Sequence, residues 1–157
     1  MMQKNYSNQF YIGRLIFRKK HINLFYTYII MEPLPVLTSI ASYDEFQSIL
    51  QRNPGVIIIK MGATWCGPCK VIEPLVKQWF SKMPGNVQCY SLDVDDNFQL
   101  FGQFKKKKLV KGIPALFAYY IENEDCLPDD FVSGSDHTQV NMFFERCADY
   151  SSKLLTK

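Results

Sequence analysis

The sequence predicts an α/β fold in which helices flank both faces of a mixed central β-sheet. Three features support this prediction. The segment VIIIKM, residues 56–61, is an apolar run of strand length, which is typical of a central strand buried on both faces. Similar runs alternate with amphipathic helical segments, which favours parallel strands joined by helices. Two strand-like segments near the end follow each other without a helix between them, so they should pair antiparallel and make the sheet mixed.

The first predicted elements lie on either side of a proline-glycine turn. PVLTSI, residues 35–40, is predicted as a short strand. In SYDEFQSIL the spacing of Ser42 and Glu45 fits a capping box, and an apolar helical face follows it, so a helix should begin at about Tyr43. The NPG segment at residues 53–55 should end this helix and lead into the strand VIIIKM.

The remaining elements are predicted from the same periodicities. The helix in the middle of the chain opens with a cysteine motif, and the next helix has acids near its start and lysines near its end, as its dipole favours. The two antiparallel strands are joined by an acidic loop. In chain order the predicted segments are WCGPCKVIEPLVKQWFSKM (helix), NVQCYSLDV (strand), DDNFQLFGQFKKKK (helix), ALFAYYI and FVSG (strands), and SDHTQVNMFFERCADYSSKLL (helix).

Charge separates a short leader from the rest of the chain. Of 157 residues, 47% are hydrophobic and 21% are charged, which is ordinary for a globular protein with a core. The net charge is +3, and residues 1–31 contain five cations and no acid. We therefore predict an N-terminal extension over residues 1–31 and one domain over residues 32–157. Because that domain is nearly neutral, no nucleic-acid partner is expected.

The sequence leaves the role of residues 1–31 open. Their basic residues and the apolar run Ile22–Met31 fit a secretory signal without a clear cleavage site, a transit peptide, a loosely attached extension, or residues upstream of a start at Met31. The run is shorter than the roughly 18 residues of a membrane span, so no stable membrane insertion is expected. We expect a cytoplasmic protein, with targeting to an organelle or the secretory route as the alternative.

The five cysteines comprise one tight pair and three scattered single residues. Cys66 and Cys69 form the pair, and the singles are Cys89, Cys126 and Cys147. An odd and irregular set suits a reducing compartment in which the pair is catalytic. A zinc site would need two more ligands at ordered spacing, so we expect no metal, and no cofactor besides the redox-active pair. Cys89 is predicted in the core, Cys147 in the last helix, and Cys126 in an exposed loop, with a regulatory disulfide through Cys126 as an alternative role.

The string WCGPCK, which begins at Trp65, predicts dithiol–disulfide exchange. Two cysteines three residues apart at a helix start lie close enough to bridge. Cys66 faces the positive end of the helix, which stabilises its thiolate, so it is the predicted nucleophile. Cys69, one turn inside and more buried, should resolve the mixed disulfide. Gly67 permits a tight turn, Pro68 suits the first helical turn, where no N–H is needed, and Trp65 covers the thiols with an apolar wall.

This string resembles the active-site motif of the thioredoxin family, and three further positions match it: Pro74, the Ile113-Pro114 pair and Gly134. The resemblance implies a thioredoxin fold and a protein-disulfide reductase. It implies that Pro114 is a cis-proline packed against the disulfide and that Ile113 offers backbone groups to an extended substrate. Gly134 and Gly62 would line the same docking surface. Disulfide-containing proteins and a recharging reductase or dithiol are the implied partners of an expected monomer.

Lys60 departs from the family pattern. Thioredoxins usually have a buried aspartate six residues before the first cysteine, and that carboxylate is thought to take the proton of the second cysteine. Asp93 is the expected counter-charge for Lys60. The ammonium could pair with Asp93, lose its charge on burial, or extend to the surface. A cation near the dithiol favours both thiolates, so Lys60 is predicted to tune the couple towards a less reducing potential.

Three functions remain open from the sequence. The leading one is reduction of protein disulfides; the second is a disulfide oxidant or isomerase whose potential is raised by Lys60; the third is a binding module with vestigial redox activity. The Gly-Pro pair between the cysteines favours the reductase, and the intact motif argues against a pure binding module. Two charged segments, Lys105–Lys108 with Lys111 and Glu122–Asp130, are either solvated surface or docking sites for a partner.

Overall fold

The computed structural model describes residues 32–123 and 126–156, so the predicted leader lies outside the described residues. From the helix at Tyr43 onward, each predicted element is present within a few residues of its predicted bounds. The elements are α1 (Tyr43–Gln51), β1 (Val56–Gly62), α2 (Gly67–Phe80), β2 (Val87–Asp93), α3 (Phe98–Lys106), β3 (Ala115–Tyr120), β4 (Asp130–Ser133) and α4 (His137–Leu155).

The four strands form one mixed sheet in the order β2-β1-β3-β4. β1 is parallel to β2 and antiparallel to β3, and β3 is antiparallel to β4. The predicted mixed sheet and its C-terminal antiparallel pair are therefore confirmed.

Helices cover both faces of this sheet, as predicted. Successive side chains of β1 point to opposite faces, so Ile57 and Ile59 pack with residues of α1 and α3, whereas Val56 and Ile58 pack with residues of α2 and α4. All seven residues of β1 are buried. By the same alternation Lys60 lies on the face that α2 covers, which decides its partner below.

The strand directions bring the predicted site residues to one edge of the sheet. Parallel strands β1 and β2 both end there, and α2 starts directly after β1. Met61 pairs with Ala115 at the start of β3, and Ala115 pairs with Ser133 at the end of β4. The cysteine motif, the Ile113-Pro114 pair and Gly134 are therefore neighbours at this edge, although they are distant in sequence.

The predicted first strand, residues 35–40, is reduced to a single bridge. Leu37 pairs in parallel with Tyr90, and its N–H donates to the carbonyl oxygen of Cys89 at 3.0 Å. Side chains satisfy the backbone on either side of this bridge: Gln88 donates to the carbonyl of Pro35, and the N–H of Ile40 donates to Oδ1 of Asn97. Because these groups are bound by amide side chains, a regular ladder does not extend and the strand prediction is wrong.

The connection between β3 and β4 also differs from the prediction at one residue. Cys126 is only 8% exposed and packs in the cluster under α1 and α3, so its predicted position in an exposed loop is wrong. Its backbone has a φ of 62°, which is uncommon for a residue other than glycine. Among the described residues, no helix combines the length and the hydrophobicity that a membrane span requires.

Candidate active site

A disulfide between Cys66 and Cys69 lies at the N-terminus of α2. The two Cα atoms are 5.3 Å apart, and Cys66 is the N-cap residue of the helix. The N–H of Cys69 donates to Sγ of Cys66 at 3.2 Å, which fills one of the backbone donors that a helix start leaves unpaired. Pro68 lies in the first turn, where no N–H is required. A thiolate at Cys66 would therefore be stabilised by a backbone donor and by the helix dipole.

The two sulfurs differ in helix position more than in burial. Cys66 is 5% exposed and Cys69 is 3% exposed, so the predicted contrast in burial is small. The asymmetry comes from the cap, because the sulfur of Cys66 accepts the helix N–H and Cys69 lies within the first turn. Gly67 is not among the glycines with a positive φ, and a Cβ placed on it would meet nothing within 4 Å, so the structure shows no feature there that requires glycine.

Trp65 is held at the surface by an acid from the neighbouring loop. The indole is 66% exposed, and its Nε1–H donates to Oδ2 of Asp95 at 2.7 Å. Asp93 joins the same two loops, because its Oδ2 accepts from the N–H of Thr64 at 3.1 Å and its Oδ1 accepts from the N–H of Asp95 at 2.9 Å. Asp93 is thus used by backbone donors, and the prediction that it balances Lys60 is wrong.

The Ile113–Pro114 peptide bond is cis, as the resemblance implied. The carbonyl oxygen of Pro114 accepts from the N–H of Gly134 at 2.9 Å, which fixes this loop beside the end of β4. Gly134 has a φ of 97°, a conformation that favours glycine. Gly62, by contrast, is buried, so its predicted place on the docking surface is wrong.

Lys60 is buried and paired with a helix carboxylate. Its residue is 7% exposed, and its Nζ lies 2.6 Å from Oε2 of Glu73. The other oxygen of Glu73 lies 3.5 Å from Nζ of Lys77, and the Glu73 side chain is 33% exposed. Of the three states considered for Lys60, extension to the surface is therefore wrong. Pairing does occur, with Glu73 instead of Asp93.

Electrostatics at Glu73 are set by opposing effects. Partial burial raises the pKa of Glu73. The hydrogen bond and charge of Lys60, together with the charge of Lys77, lower it by a larger amount. The net result is a pKa below the ordinary value. The carboxylate is therefore ionised near neutral pH and balances the charge of Lys60.

The ion pair and the inner cysteine share one pocket. A Cβ placed on Gly62 would lie 3.3 Å from Nζ of Lys60 and 3.4 Å from Sγ of Cys69, so glycine leaves the room in which these two groups approach each other. The pocket has a volume of about 210 Å³ and opens to solvent, and Glu73 and Asp93 also line it. Cys69 thus faces a space on its inner side that is lined by charged groups and open to solvent.

Sequence reasoning missed Glu73, although two signals could have found it. Lys60 shares a strand face with Val56 and Ile58, which a helix must cover. On α2 the buried stripe runs through Cys69, and Glu73 follows it at the i+4 position, on the same face of the helix. A search for the counter-charge of Lys60 on this helix, instead of on the adjacent strand, would have identified it.

The single cysteines are buried and free. Burial raises the pKa of Cys89 to about 12 and also raises the pKa of Cys147, so both are poor nucleophiles. The predictions of Cys89 in the core and Cys147 in the last helix are confirmed. Within residues 32–123 and 126–156, no group of three or more His, Cys, Asp or Glu side chains is arranged to hold a metal ion.

The lysines of the basic segment lie exposed where α3 ends. Two of them lie over aromatic rings: Nζ of Lys105 is 5.5 Å from the ring centre of Phe101, and Nζ of Lys107 is 4.8 Å from that of Tyr43. Whether this surface also binds a partner stays a prediction.

The chain is similar in sequence and in fold to known thioredoxins. The family model described as Thioredoxin matches residues 37–145. The chain is 28% identical to a mitochondrial thioredoxin of Mus musculus over 65% of its own length, but it spans only 57% of that protein. It is 31% identical to thioredoxin-2 of Saccharomyces cerevisiae, over 54% of this chain and 76% of that protein. A solved thioredoxin of Malassezia sympodialis superposes with a TM-score of 0.55 at 27% identity, covering 72% of this chain and 94% of that one.

Proposed function

The chain belongs to the thioredoxin family, and on that premise we propose that it is a thiol–disulfide oxidoreductase that reduces protein disulfides. One observation carries the proposal. The Cys66–Cys69 disulfide caps α2 with a backbone N–H directed at Sγ of Cys66, at the sheet edge that also contains the cis bond before Pro114. This arrangement stabilises one thiolate and keeps the second thiol within bonding distance of it.

The reaction proceeds through two exchanges. The thiolate of Cys66 attacks one sulfur of a substrate disulfide, the other substrate sulfur leaves as a thiolate, and a mixed disulfide forms. The thiolate of Cys69 then attacks Sγ of Cys66, the remaining substrate sulfur leaves as a thiolate, and the Cys66–Cys69 disulfide forms. Two electrons have passed to the substrate, and a reductase or an external dithiol restores the dithiol form.

The substrate is proposed to lie across the surface around the disulfide. Trp65 is exposed beside it, and the loop of the cis bond is tied to β4 through Gly134. An extended substrate segment would contact backbone groups next to the cis bond and the indole on the opposite side. The proposed contact residues are Trp65, Gly67, Pro68, Ile113, Pro114 and Gly134.

The test is reduction of a model protein disulfide, with a small dithiol as the recharging agent. We expect turnover by the wild type, loss of turnover in Cys66→Ser, and a stable mixed disulfide through Cys66 in Cys69→Ser. Buried Cys147→Ser, away from the pair, is the matched control and should retain turnover. A wild type that does not turn over, together with a Cys69→Ser variant that forms no mixed disulfide, would refute the proposal and favour a binding module.

Lys60 is proposed to tune the couple only weakly. The oxidant or isomerase alternative draws on the charge of Lys60 near the dithiol, and the carboxylate of Glu73, 2.6 Å from its Nζ, offsets that charge. We therefore expect the Cys66–Cys69 pair to have a reduction potential near the value of about −270 mV that is typical of thioredoxins, as measured by equilibrating the protein with a glutathione series. Lys60→Met should shift it by less than about 30 mV, which corresponds to 1.4 kcal/mol for two electrons. A wild-type potential near that of oxidants would favour the alternative.

The proposed setting is a monomer in the cytoplasm. Three free cysteines among the described residues suit a reducing compartment. The mouse relative is named as mitochondrial, so an organelle is the alternative, with residues 1–31 as its signal. Imaging of a fluorescent fusion with and without residues 1–31 distinguishes the two locations, and sedimentation tests the monomer.

A further inference from the structure

The resolving step requires that a buried thiol lose its proton. Cys69 is 3% exposed, and in the mixed disulfide its sulfur must become a thiolate before it attacks Cys66. The helix N–H that stabilises Cys66 is not available to Cys69, because it belongs to Cys69 itself and points to Sγ of Cys66. A proton acceptor must therefore be sought in the pocket on the inner side of Cys69.

Four titratable side chains line that pocket besides Cys69, namely Lys60, Lys70, Glu73 and Asp93. Two are lysines, and the carboxylate of Asp93 accepts a backbone N–H at each oxygen. Glu73 differs from Asp93, since its Oε2 binds Lys60 at 2.6 Å whereas its Oε1 has only the 3.5 Å contact with Lys77. Among the residues that the structure describes, Oε1 of Glu73 is thus the carboxylate oxygen of the pocket best able to accept a proton.

Helix geometry places this carboxylate near the thiol. Cys69 and Glu73 are four residues apart on α2, so their side chains are neighbours on one face, with Cβ atoms about 6 Å apart. Lys60 joins them from the strand, because its Nζ contacts Glu73 and approaches the same point above Gly62 as Sγ of Cys69. A pocket of about 210 Å³ can hold a water molecule between the thiol and the carboxylate.

We propose that Glu73 accepts the proton of the Cys69 thiol, directly or through one water, when Cys69 attacks the mixed disulfide. The proposal rests on the function given above and assigns a catalytic residue to its second exchange. Lys60 holds the carboxylate at the pocket and then faces the thiolate that forms.

The transfer keeps the net charge of the pocket constant. Before it, the ammonium of Lys60 is balanced by the carboxylate of Glu73; after it, Glu73 is neutral and the same ammonium is balanced by the thiolate of Cys69. No charge is left without a counter-charge at any point, which avoids the main cost of ionising a buried thiol. The thiolate then forms the S–S bond with Cys66, and the substrate sulfur leaves with the negative charge.

Glu73 must finally release the proton, and its position allows this. Its side chain is 33% exposed, so solvent reaches the carboxyl group from outside the pocket. Because Lys60 and Lys77 hold the pKa of Glu73 below its ordinary value, the proton passes on to water and the ion pair with Lys60 re-forms.

The two exchanges can be timed in one experiment with 5,5′-dithiobis(2-nitrobenzoate). Attack by Cys66 releases the first coloured thiolate at a rate that depends on reagent concentration, and attack by Cys69 releases the second at a rate that does not. In Glu73→Gln we expect the second phase to slow by about tenfold or more and the first phase to be unchanged, since general bases contribute at least this much. The second phase should also become steeply dependent on pH, because hydroxide or buffer replaces the carboxylate; the charged groups facing Glu73 are Lys60, Lys77, Lys70 and Asp93.

Two comparisons keep the test decisive. Asp149→Asn removes a carboxylate that is also 2.6 Å from a lysine Nζ, but on the exposed side of α4, and both phases should match the wild type. If Glu73→Gln does not fold, Lys60→Met/Glu73→Gln is compared with Lys60→Met, because the pair differs only in the carboxylate and leaves no unpaired ammonium.

The outcomes separate the inference from the proposed function. A wild type that releases neither thiolate refutes the proposed function itself. If the wild type releases both thiolates and the second phase is equally fast in Glu73→Gln, only the role of Glu73 is overturned. The same holds if the second phase is equally fast in the double variant and in Lys60→Met. Slowing of both phases by the same factor also overturns it, because Glu73 would then act on the structure of the site as a whole.

Discussion

Removing Glu73 should destabilise the protein more than removing Lys60, although each change breaks the same ion pair. Nζ of Lys60 and Oε2 of Glu73 are 2.6 Å apart. At an effective dielectric constant of about 20 their attraction is about 6 kcal/mol, and the desolvation of the ammonium, several kcal/mol, offsets most of it. The net value of the pair is therefore small, but the two partners are not equivalent because Lys60 is 7% exposed and the side chain of Glu73 is 33% exposed.

The asymmetry gives a magnitude for each variant. Glu73→Gln leaves a buried ammonium without its counter-charge; loss of one partner of a fully buried pair costs about 3–5 kcal/mol, and the opening of this pocket to water reduces the expected loss to about 2 kcal/mol. Lys60→Met keeps an unbranched stem of similar length and leaves Glu73 able to face water, so its free energy of unfolding should stay within about 1 kcal/mol of the wild type.

Urea unfolding of the oxidised proteins, followed by circular dichroism, measures both values, with equal m-values as the condition for comparing them. In the double variant, stability should return to that of Lys60→Met, because no ammonium remains to be paired. A larger loss in Lys60→Met than in Glu73→Gln would refute the reasoning, since the lysine would then contribute through packing or through another partner.

Three further predictions concern pH, the indole and the buried thiols. Because folding lowers the pKa of Glu73 from an ordinary 4.5, its contribution to stability is complete above that pH and is lost as the pH falls through the folded value. When the free energy of unfolding is measured as the pH is lowered, Glu73→Gln should therefore lose less stability than the wild type. An equal loss in both proteins would contradict this prediction. Asp95→Ala removes the acceptor at 2.7 Å from Nε1 of Trp65, so KM for a protein disulfide should rise about fivefold at constant kcat, equivalent to ~1 kcal/mol; an unchanged KM would exclude a binding role for this contact. Burial raises the pKa of Cys89 to about 12 and also raises the pKa of Cys147, so iodoacetamide should alkylate the reduced Cys66–Cys69 dithiol first and these two thiols only after unfolding. Peptide mass mapping measures the order of alkylation. Rapid alkylation of either thiol in the native protein would contradict their burial.

The fold was predictable where local patterns and chain direction agree. β1 is an apolar run, and α1 begins at the capping spacing of Ser42 and Glu45, whose Oγ and N–H are 3.1 Å apart. The active-site disulfide followed from two cysteines at one helix start, since neither needs a distant partner. These features depend on neighbours in sequence, which is why periodicity and motif spacing were sufficient for them.

The errors at the predicted first strand, at Cys126 and at Lys60 concern groups whose partners come from another element. The strand at Leu37 failed because Gln88 and Asn97 satisfy the backbone beside it, and neither amide has a local signature. Cys126 is buried because it packs with residues of α1 and α3, which are distant in sequence. Lys60 was assigned to an acid on the adjacent strand, whereas the helix above the strand supplies the acid. Packing between elements decides these partners. The alternation of a strand predicts the face on which a side chain lies, but not the residue that it contacts there.

The ion pair across β1 and α2 also restricts how this protein can change by mutation. Its two charges lie thirteen positions apart, so one nucleotide substitution alters one of them and leaves the other in place. If the acid is lost first, a buried cation remains without a counter-charge. If the cation is lost first, the acid that remains is accessible to water. We therefore expect that proteins that lose this pair lose the lysine before the acid. Relatives that retain a cation at position 60 should consequently retain an acid at position 73. Alignment of relatives that have lysine or arginine at position 60 would reveal this order as a one-sided correlation between the two columns.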